Sequence, residues 1–415
     1  MYIPQIEDVQ KAVLRLKNIV VHTPLSPSIR LGRQFEASIF LKREDLQPVR
    51  SYKIRGAYNK ISALTDEQKQ KGIVCASAGN HAQGVALSCR ELNIQGTIYM
   101  PVTTPQQKIE QVQMFGEDMI SIVLEGDTFD DSNYAAIAFS QENDKVFIPP
   151  FDDEKVIEGQ ATIALEILEQ SAVELDYVFV PIGGGGLSAG VSSILKVLSP
   201  KTKIIGVEPL GAMSMKKALE VGEPTELSAV DTFVDGASVK KVGRLNFDIC
   251  RHYLDEVIGV HEGKVCQTIL ELYNRDAIVV EPAGALTISA LESYKKEIKG
   301  KNVVCIVSGS NNDITRTAEI KERALLYANL KHYFVVRFPQ RAGALKEFVT
   351  EVLGKTDDIT HFEYMKKNNR ENGSAVVGIE LKHETDLQPL IDRMKLRNFY
   401  GDYLNDKPDL LQVLV

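Results

Sequence analysis

Lys53 lies in the stretch Val49-Arg50-Ser51-Tyr52-Lys53-Ile54-Arg55-Gly56-Ala57, between two arginines. An unperturbed lysine has a pKa of about 10.4 and is a protonated, poorly nucleophilic ammonium at neutral pH. Cations at Arg50 and Arg55 would make its neutral amine easier to reach. A neutral lysine amine condenses with an aldehyde to a Schiff base, the bond by which an aldehyde cofactor is anchored. A solvated helix face running through Ala57-Tyr58-Asn59-Lys60 accounts for the same lysine with no chemistry at all.

Two further stretches could hold anions. The apolar run Ile73-Val74-Cys75-Ala76 ends in Ser77-Ala78-Gly79-Asn80-His81, and a helical pattern follows to Leu92. Small residues at a strand-to-helix turn leave backbone N–H groups free beside the positive end of the helix dipole, which makes an anion site. An ordinary helix cap by Ser77 or Asn80 is the competing reading. His81 has no second histidine or carboxylate at ligand spacing, so a structural role is expected of it and no metal site is expected. The second stretch is Gly183-Gly184-Gly185-Gly186-Leu187-Ser188-Ala189-Gly190, between a buried-type strand at 177–182 and a helix. Four glycines let the backbone approach a phosphate closely, and the helix presents its N-terminus to it. Gly184, Gly186 and Ala189 also fit the degenerate dinucleotide fingerprint, with Glu208 ending the next strand, so an NAD site stays open here. A P-loop does not, because no Gly-Lys-Ser/Thr follows. Ser308 follows the apolar strand at 302–307, where open parallel sheets meet their ligands, although a turn serine is also ordinary turn chemistry.

The elements that must position these groups alternate along the chain. Strand patterns at 38–42, 73–76, 96–100, 119–124, 177–182, 203–208 and 302–307 are interleaved with helical patterns, among them 6–18, 105–115, 129–143 and 160–170. That order predicts α/β layers with mostly parallel strands. After a charged helical connector at 317–331 the pattern changes. Strands at 333–338, 359–365 and 375–381, helices at 341–353 and 387–394, and a further strand near the end predict a small split-βαβ, ferredoxin-like α+β module. It carries no evident nucleophile, base or metal cluster, so binding or regulation is expected of it.

A chain of 415 residues should hold two or three domains of roughly 100–200 residues each. With 44% hydrophobic and 25% charged residues it can bury a large core in the manner of a soluble globular protein. A net charge of −8 argues against a nucleic-acid or anionic-membrane partner. The five cysteines are scattered singly, which suits a reducing compartment. Residues 1–8 carry acids where a secretory signal has lysines, and no apolar run approaches the roughly 20 residues a membrane span needs. A cytoplasmic protein is expected.

The lysine stretch, the Ser77–His81 turn, the tetraglycine loop and Ser308 occur in the order found in fold-type II pyridoxal 5′-phosphate (PLP) enzymes. Over essentially its whole length the chain resembles the threonine dehydratases (threonine deaminases) of the short, biosynthetic form. The resemblance implies two open, mostly parallel α/β subdomains in a catalytic domain over 1–320, the smaller one at about 45–150. It further implies a connector at 321–331 and one ACT-like domain at 332–415. By the same resemblance Lys53 carries PLP through a Schiff base and takes the substrate α-proton. Gly183, Gly184, Gly185, Gly186 and Leu187 bind the phosphate through their amides. Asn80 meets the ring 3′-oxygen, and Ser308 the pyridine nitrogen. Ser77, Ala78, Gly79 and Asn80 take the substrate carboxylate.

The implied reaction is β-elimination from L-threonine to 2-oxobutanoate and ammonia, an ammonia-lyase step that opens isoleucine biosynthesis. The implied effector is isoleucine, bound by the tail, and the implied assembly a homotetramer. A serine-preferring dehydratase or a serine racemase keeps the fold and changes the reaction; racemases of this fold carry a serine where Ala78 stands, so little racemisation is expected. A non-enzymatic amino-acid sensor would leave Lys53, Asn80 and Ser308 without purpose.

Overall fold

The computed structural model describes residues 2–364 and 372–414. Two compact units follow one another, Met1–Ile314 and Thr315–Val415. The first contains β1 (Leu25–Pro27), β2 (Ser38–Arg43), β3 (Ile73–Ala76), β4 (Gly96–Met100), β5 (Ile120–Leu124), β6 (Val146–Phe147), β7 (Tyr177–Pro181), β8 (Lys203–Pro209), β9 (Glu256–Val260) and β10 (Asn302–Val307). They form a six-stranded sheet in the order β1-β2-β10-β7-β8-β9 and a four-stranded sheet in the order β5-β4-β3-β6. Every pairing is parallel except β1 with β2.

Parallel strands covered by helices on both faces read as continuous apolar runs. Accordingly β3 and β7 are buried at every position. Val178, Val180, Val304 and Ile306 pack with Val191 and Ile194 in the core of the large sheet. Ile73, Cys75 and Ile98 pack with Val85 and Ala86 in that of the small one.

The helix Lys53–Ser62 crosses the helix Glu154–Gln170 at two facing glycines. A Cβ on Gly159 would stand 2.4 Å from the Arg55 carbonyl oxygen, and one on Gly56 would stand 2.3 Å from the Gln160 amide. Only glycine permits that approach. The second of these helices starts six residues earlier than the periodicity of 160–170 predicts, because the Asp153 carboxylate accepts from the Lys155 and Val156 N–H groups at 2.8 and 3.1 Å.

Behind this crossing lies a buried ion cluster. The Arg55 guanidinium donates to both Glu44 carboxylate oxygens at 2.8 Å and to those of Glu166 at 2.7 and 2.9 Å. Lys42 donates to the Thr23 carbonyl at 2.6 Å and pairs with Glu166 as well. Two cations thus meet two carboxylates, and every charge has a partner.

The second unit contains β11 (Lys331–Pro339), β12 (Asp358–Tyr364), β13 (Asn372–Glu380) and β14 (Tyr400–Tyr403). They form an antiparallel sheet in the order β12-β13-β11-β14, the ferredoxin-like arrangement, over a core of Phe334, Phe348, Val377 and Phe399. The strand near the end of the chain, expected without bounds, is β14. Met365, the expected end of the strand at 359–365, lies outside the described residues. The single helix expected at 341–353 is instead an α-turn, Ala344–Glu347, widening into a π-turn, Phe348–Val352. Gly343 enters it at a φ of 85°, a left-handed conformation that starts the helix late.

Candidate active site

Lys53 is the first residue of its helix, and its Nζ donates to the Pro150 carbonyl oxygen at 2.8 Å. Burial pulls its pKa down to about 8, and the nearby Glu281 carboxylate works against that shift. Arginine flanking does not cause it, contrary to the reading of the sequence. Arg55 turns its guanidinium away into Glu44 and Glu166, which neutralise it. Arg50 acts through its backbone: at a φ of 58° it offers its carbonyl oxygen to the Ser310 N–H at 2.9 Å.

That backbone contact joins the lysine stretch to the end of β10. The Tyr52 N–H donates to the Ser308 carbonyl at 3.1 Å, and Ser51 pairs with Gly309 in an isolated antiparallel bridge. Ser308 is 2% exposed.

Pro150 leads on to the tetraglycine loop. The Phe151 ring lies so close beneath it that a Cβ on Gly184 would stand 2.2 Å from a ring carbon, and one on Gly186 would stand 2.9 Å from the Phe151 carbonyl oxygen. Gly185 sits at a φ of 93°. The Asn246 amide donates to the Gly184 and Phe151 carbonyls at 2.8 and 3.2 Å, fixing the loop from below. The helix Gly186–Leu198 begins here, so the amides of Gly186, Leu187 and Ser188 have no intrahelical partner. Asp152 caps the helix Arg244–Tyr253 by accepting from the Arg244 and Leu245 N–H groups at 2.9 and 3.0 Å.

The turn after β3 stands on the other side. Ser77, Ala78, Gly79 and Asn80 are all half-buried, and a Cβ on Gly79 would meet nothing within 4 Å, so the turn faces open space. Ser77 Oγ accepts from the Gly79 N–H at 3.2 Å. The helix Asn80–Leu92 starts at Asn80 itself, whose amide donates to Glu281 Oε1 at 2.7 Å. Burial, with the Asp235 charge adding to it, raises the Glu281 pKa to about 7. His81 is buried, its Nε2 lies 3.0 Å from the Ile148 carbonyl oxygen, and burial together with the Lys53 charge lowers its pKa to about 3. It is a neutral packing residue.

The fingerprint reading of Glu208 fails on its contacts. Its carboxylate is fully buried and accepts from the Met215 and Lys216 N–H groups at 2.7 and 2.9 Å, capping the next helix instead of facing a ribose.

Lys53, the glycine loop, the Ser77–Asn80 turn and Ser308 are therefore linked by a short chain of contacts. Sequence reasoning missed Phe151, Asn246 and Glu281. The first two reveal themselves only by what they touch. Glu281 had a local signal, an acid directly before Pro282 at the start of an apolar helix, Pro282–Ser289.

Pyridoxal 5′-phosphate suits these residues on three observations. The loop at Gly183–Gly186 cannot carry side chains without crowding Ala237, Phe151 or Asn246, which leaves bare backbone for a phosphate. Lys53 has a depressed pKa suited to an aldehyde. The Ser308 hydroxyl, nearly buried at the carboxyl end of β10, can donate to a ring nitrogen.

Residues 16–309 match the family described as pyridoxal-phosphate dependent enzyme, and residues 322–414 match the C-terminal regulatory domain of threonine dehydratase. A biosynthetic L-threonine dehydratase of Bacillus subtilis is 53% identical over 411 residues, covering 99% of this chain and 97% of that protein. One from Halalkalibacterium halodurans is 52% identical over 411 residues and 99% of both chains. Among solved structures, the processed form of threonine deaminase isoform 2 from Solanum lycopersicum superposes with a TM-score of 0.73 at 40% identity, covering 78% of this chain and 95% of that one.

Proposed function

The chain belongs to the pyridoxal-phosphate-dependent enzymes and, end to end, to the biosynthetic threonine dehydratases, and we propose from that premise that it converts L-threonine to 2-oxobutanoate and ammonia as the first step of isoleucine biosynthesis. The observation that carries this reading is Lys53, bonded to the Pro150 carbonyl beside the Phe151 that underlies the bare glycine loop, with its pKa lowered to about 8.

In this reading Lys53 Nζ anchors the cofactor, and the free amides at Gly183 to Leu187 bind its phosphate. The Ser308 hydroxyl faces the ring nitrogen, and Asn80 faces the ring oxygen. Bound there, PLP supplies an electron sink for the pair left when the Cα–H bond breaks. The N–H groups of the Ser77–Asn80 turn orient the substrate carboxylate at the positive end of the helix Asn80–Leu92. Lys53 Nζ takes the Cα proton, a role its lowered pKa suits near neutral pH. A hydroxyl at Ser308 does not hold a ring nitrogen protonated as a carboxylate would, which moderates the sink and favours loss of the β-hydroxyl over amino transfer. Water leaves from the β-carbon and water returns on hydrolysis, so threonine equals 2-oxobutanoate plus ammonia.

Ala78 supports elimination over racemisation, since it offers no hydroxyl on the face opposite Lys53. The preference for threonine over serine rests on one methyl contact, worth about 1–3 kcal/mol. The C-terminal unit is read as the seat of feedback by isoleucine, and the working assembly as a cytoplasmic homotetramer. No helix among the described residues is long and apolar enough to cross a membrane, which is consistent with that location.

One spectrum tests the core of the proposal. The purified protein should absorb in the visible as a bound PLP, lose that band in Lys53→Ala, and form 2-oxobutanoate from threonine in a coupled assay. A colourless protein with PLP in excess would sink it.

A further inference from the structure

Glu281 is a buried carboxylate, 5% exposed, standing between the two groups assigned to the cofactor ring. On one side it accepts from Asn80 Nδ2 at 2.7 Å. On the other it is locked to the loop after β10. Its own N–H donates to the Gly309 carbonyl at 3.2 Å, its carboxylate accepts from the Asn311 N–H, and a Cβ on Gly309 would stand 2.5 Å from Oε1. Asn311 closes the circuit, with its Nδ2 donating to Asn80 Oδ1 at 2.6 Å.

An asparagine amide can turn over and exchange its oxygen for its N–H₂. Asn80 is held against this from both ends: turning it over would set its oxygen against Glu281 Oε1, which now accepts from it, and its N–H₂ against the Asn311 N–H₂, which now donates to it. One amide hydrogen is thereby committed to Glu281, and the second is left for a ligand. We propose that Glu281 is a positioning residue: by holding Asn80 to the Ser308–Asn311 loop, it fixes which end of the Asn80 amide meets the cofactor ring oxygen, and at what distance from Ser308. This rests on the cofactor reading given above.

The test compares Glu281→Gln and Glu281→Met in the PLP-loaded full-length protein. A glutamine oxygen still accepts from Asn80, whereas methionine, close in size, does not. Glu281→Met should shift the visible absorption band and lower kcat for threonine by about ten- to a hundredfold, the scale of a misplaced contact in an active site. The KM should change far less than kcat, and Glu281→Gln should restore the band position. A Glu281→Met protein with the wild-type band and kcat would overturn the inference, and so would a glutamine variant as impaired as the methionine one. A wild-type protein with no visible band would instead remove the cofactor reading beneath it. Should Glu281→Met fail to fold, Glu281→Asp decides: it keeps the carboxylate but draws it back from Asn80 by one methylene, so the band must shift, and an unshifted band overturns the inference.

Discussion

Arg55 grips Glu44 through two hydrogen bonds of 2.8 Å, two residues beyond the lysine whose helix it anchors. Burial disfavours the Glu44 charge, but Arg55, with Lys42 and the Thr23 hydroxyl, offsets it and holds the carboxyl below its usual range. Replacing Arg55 by methionine strands two buried carboxylates with Lys42 alone. The expected loss is about 3–5 kcal/mol, the cost of breaking a buried pair from one side. The sign with pH follows from the lowered pKa. The contribution of Glu44 is present above the ordinary carboxylate pKa of about 4.3 and fades as pH falls through its folded value. Acid unfolding of Arg55→Met should therefore begin at higher pH than that of the wild type, as followed by near-ultraviolet circular dichroism. Coincident acid transitions would refute the argument.

Lys53 has its pKa lowered to about 8 by burial, against about 10.4 for a free lysine. Uptake of PLP by the apoprotein should consequently rise through pH 7, reach half its limit near pH 8 and level off by about pH 9, as read by stopped-flow absorbance. A rate still climbing above pH 9 would mean that the amine is not desolvated. The same shift has a stability consequence. Between about pH 8 and 10.4 the unfolded chain binds the extra proton, so the penalty of a buried ammonium is full below that window and is relieved as pH rises through it.

Gly184 is the tightest point of the loop, with a notional Cβ 2.2 Å from the Phe151 ring. Gly184→Ala must displace either the ring or the backbone that faces the phosphate. Losing one or two such amide contacts costs on the order of 1–3 kcal/mol, so PLP affinity should fall roughly ten- to a hundredfold. Fluorescence titration of the apoprotein measures it. Unchanged affinity would show that the phosphate sits elsewhere.

Much of this arrangement was legible because it is local. The buried runs at β3, β7 and β10 announced parallel strands, and the turns after β3 and β7 read as candidate anion sites, since both signals are written within ten residues of one another. What was not legible depends on contacts across more than sixty residues: Pro150 on Lys53, Asn246 under Gly184, Glu281 against Asn80. The arginines around Lys53 misled for the same reason. Adjacency in sequence suggested a charge effect, but Arg55 is turned toward partners that cancel it, and desolvation took over as the cause. Glu208 misled through spacing alone, because a helix cap and a ribose contact place an acid at the same strand end.

The C-terminal unit supplies the last prediction. Thr315–Val415 has its own sheet and a core of Phe334, Phe348, Val377 and Phe399, and Met1–Ile314 holds every residue assigned to the candidate site. A chain ending at Ile314 should keep the visible band and threonine turnover. The full chain should lose activity on addition of isoleucine, and the shortened one should not respond. The expectation has a physical basis in linkage: an effector acts only by binding two states of the protein unequally, and removing the module that binds it removes that difference. Initial rates of 2-oxobutanoate formation with and without isoleucine, in both chains, decide it. An undiminished response in the shortened chain would move the effector site into the catalytic unit.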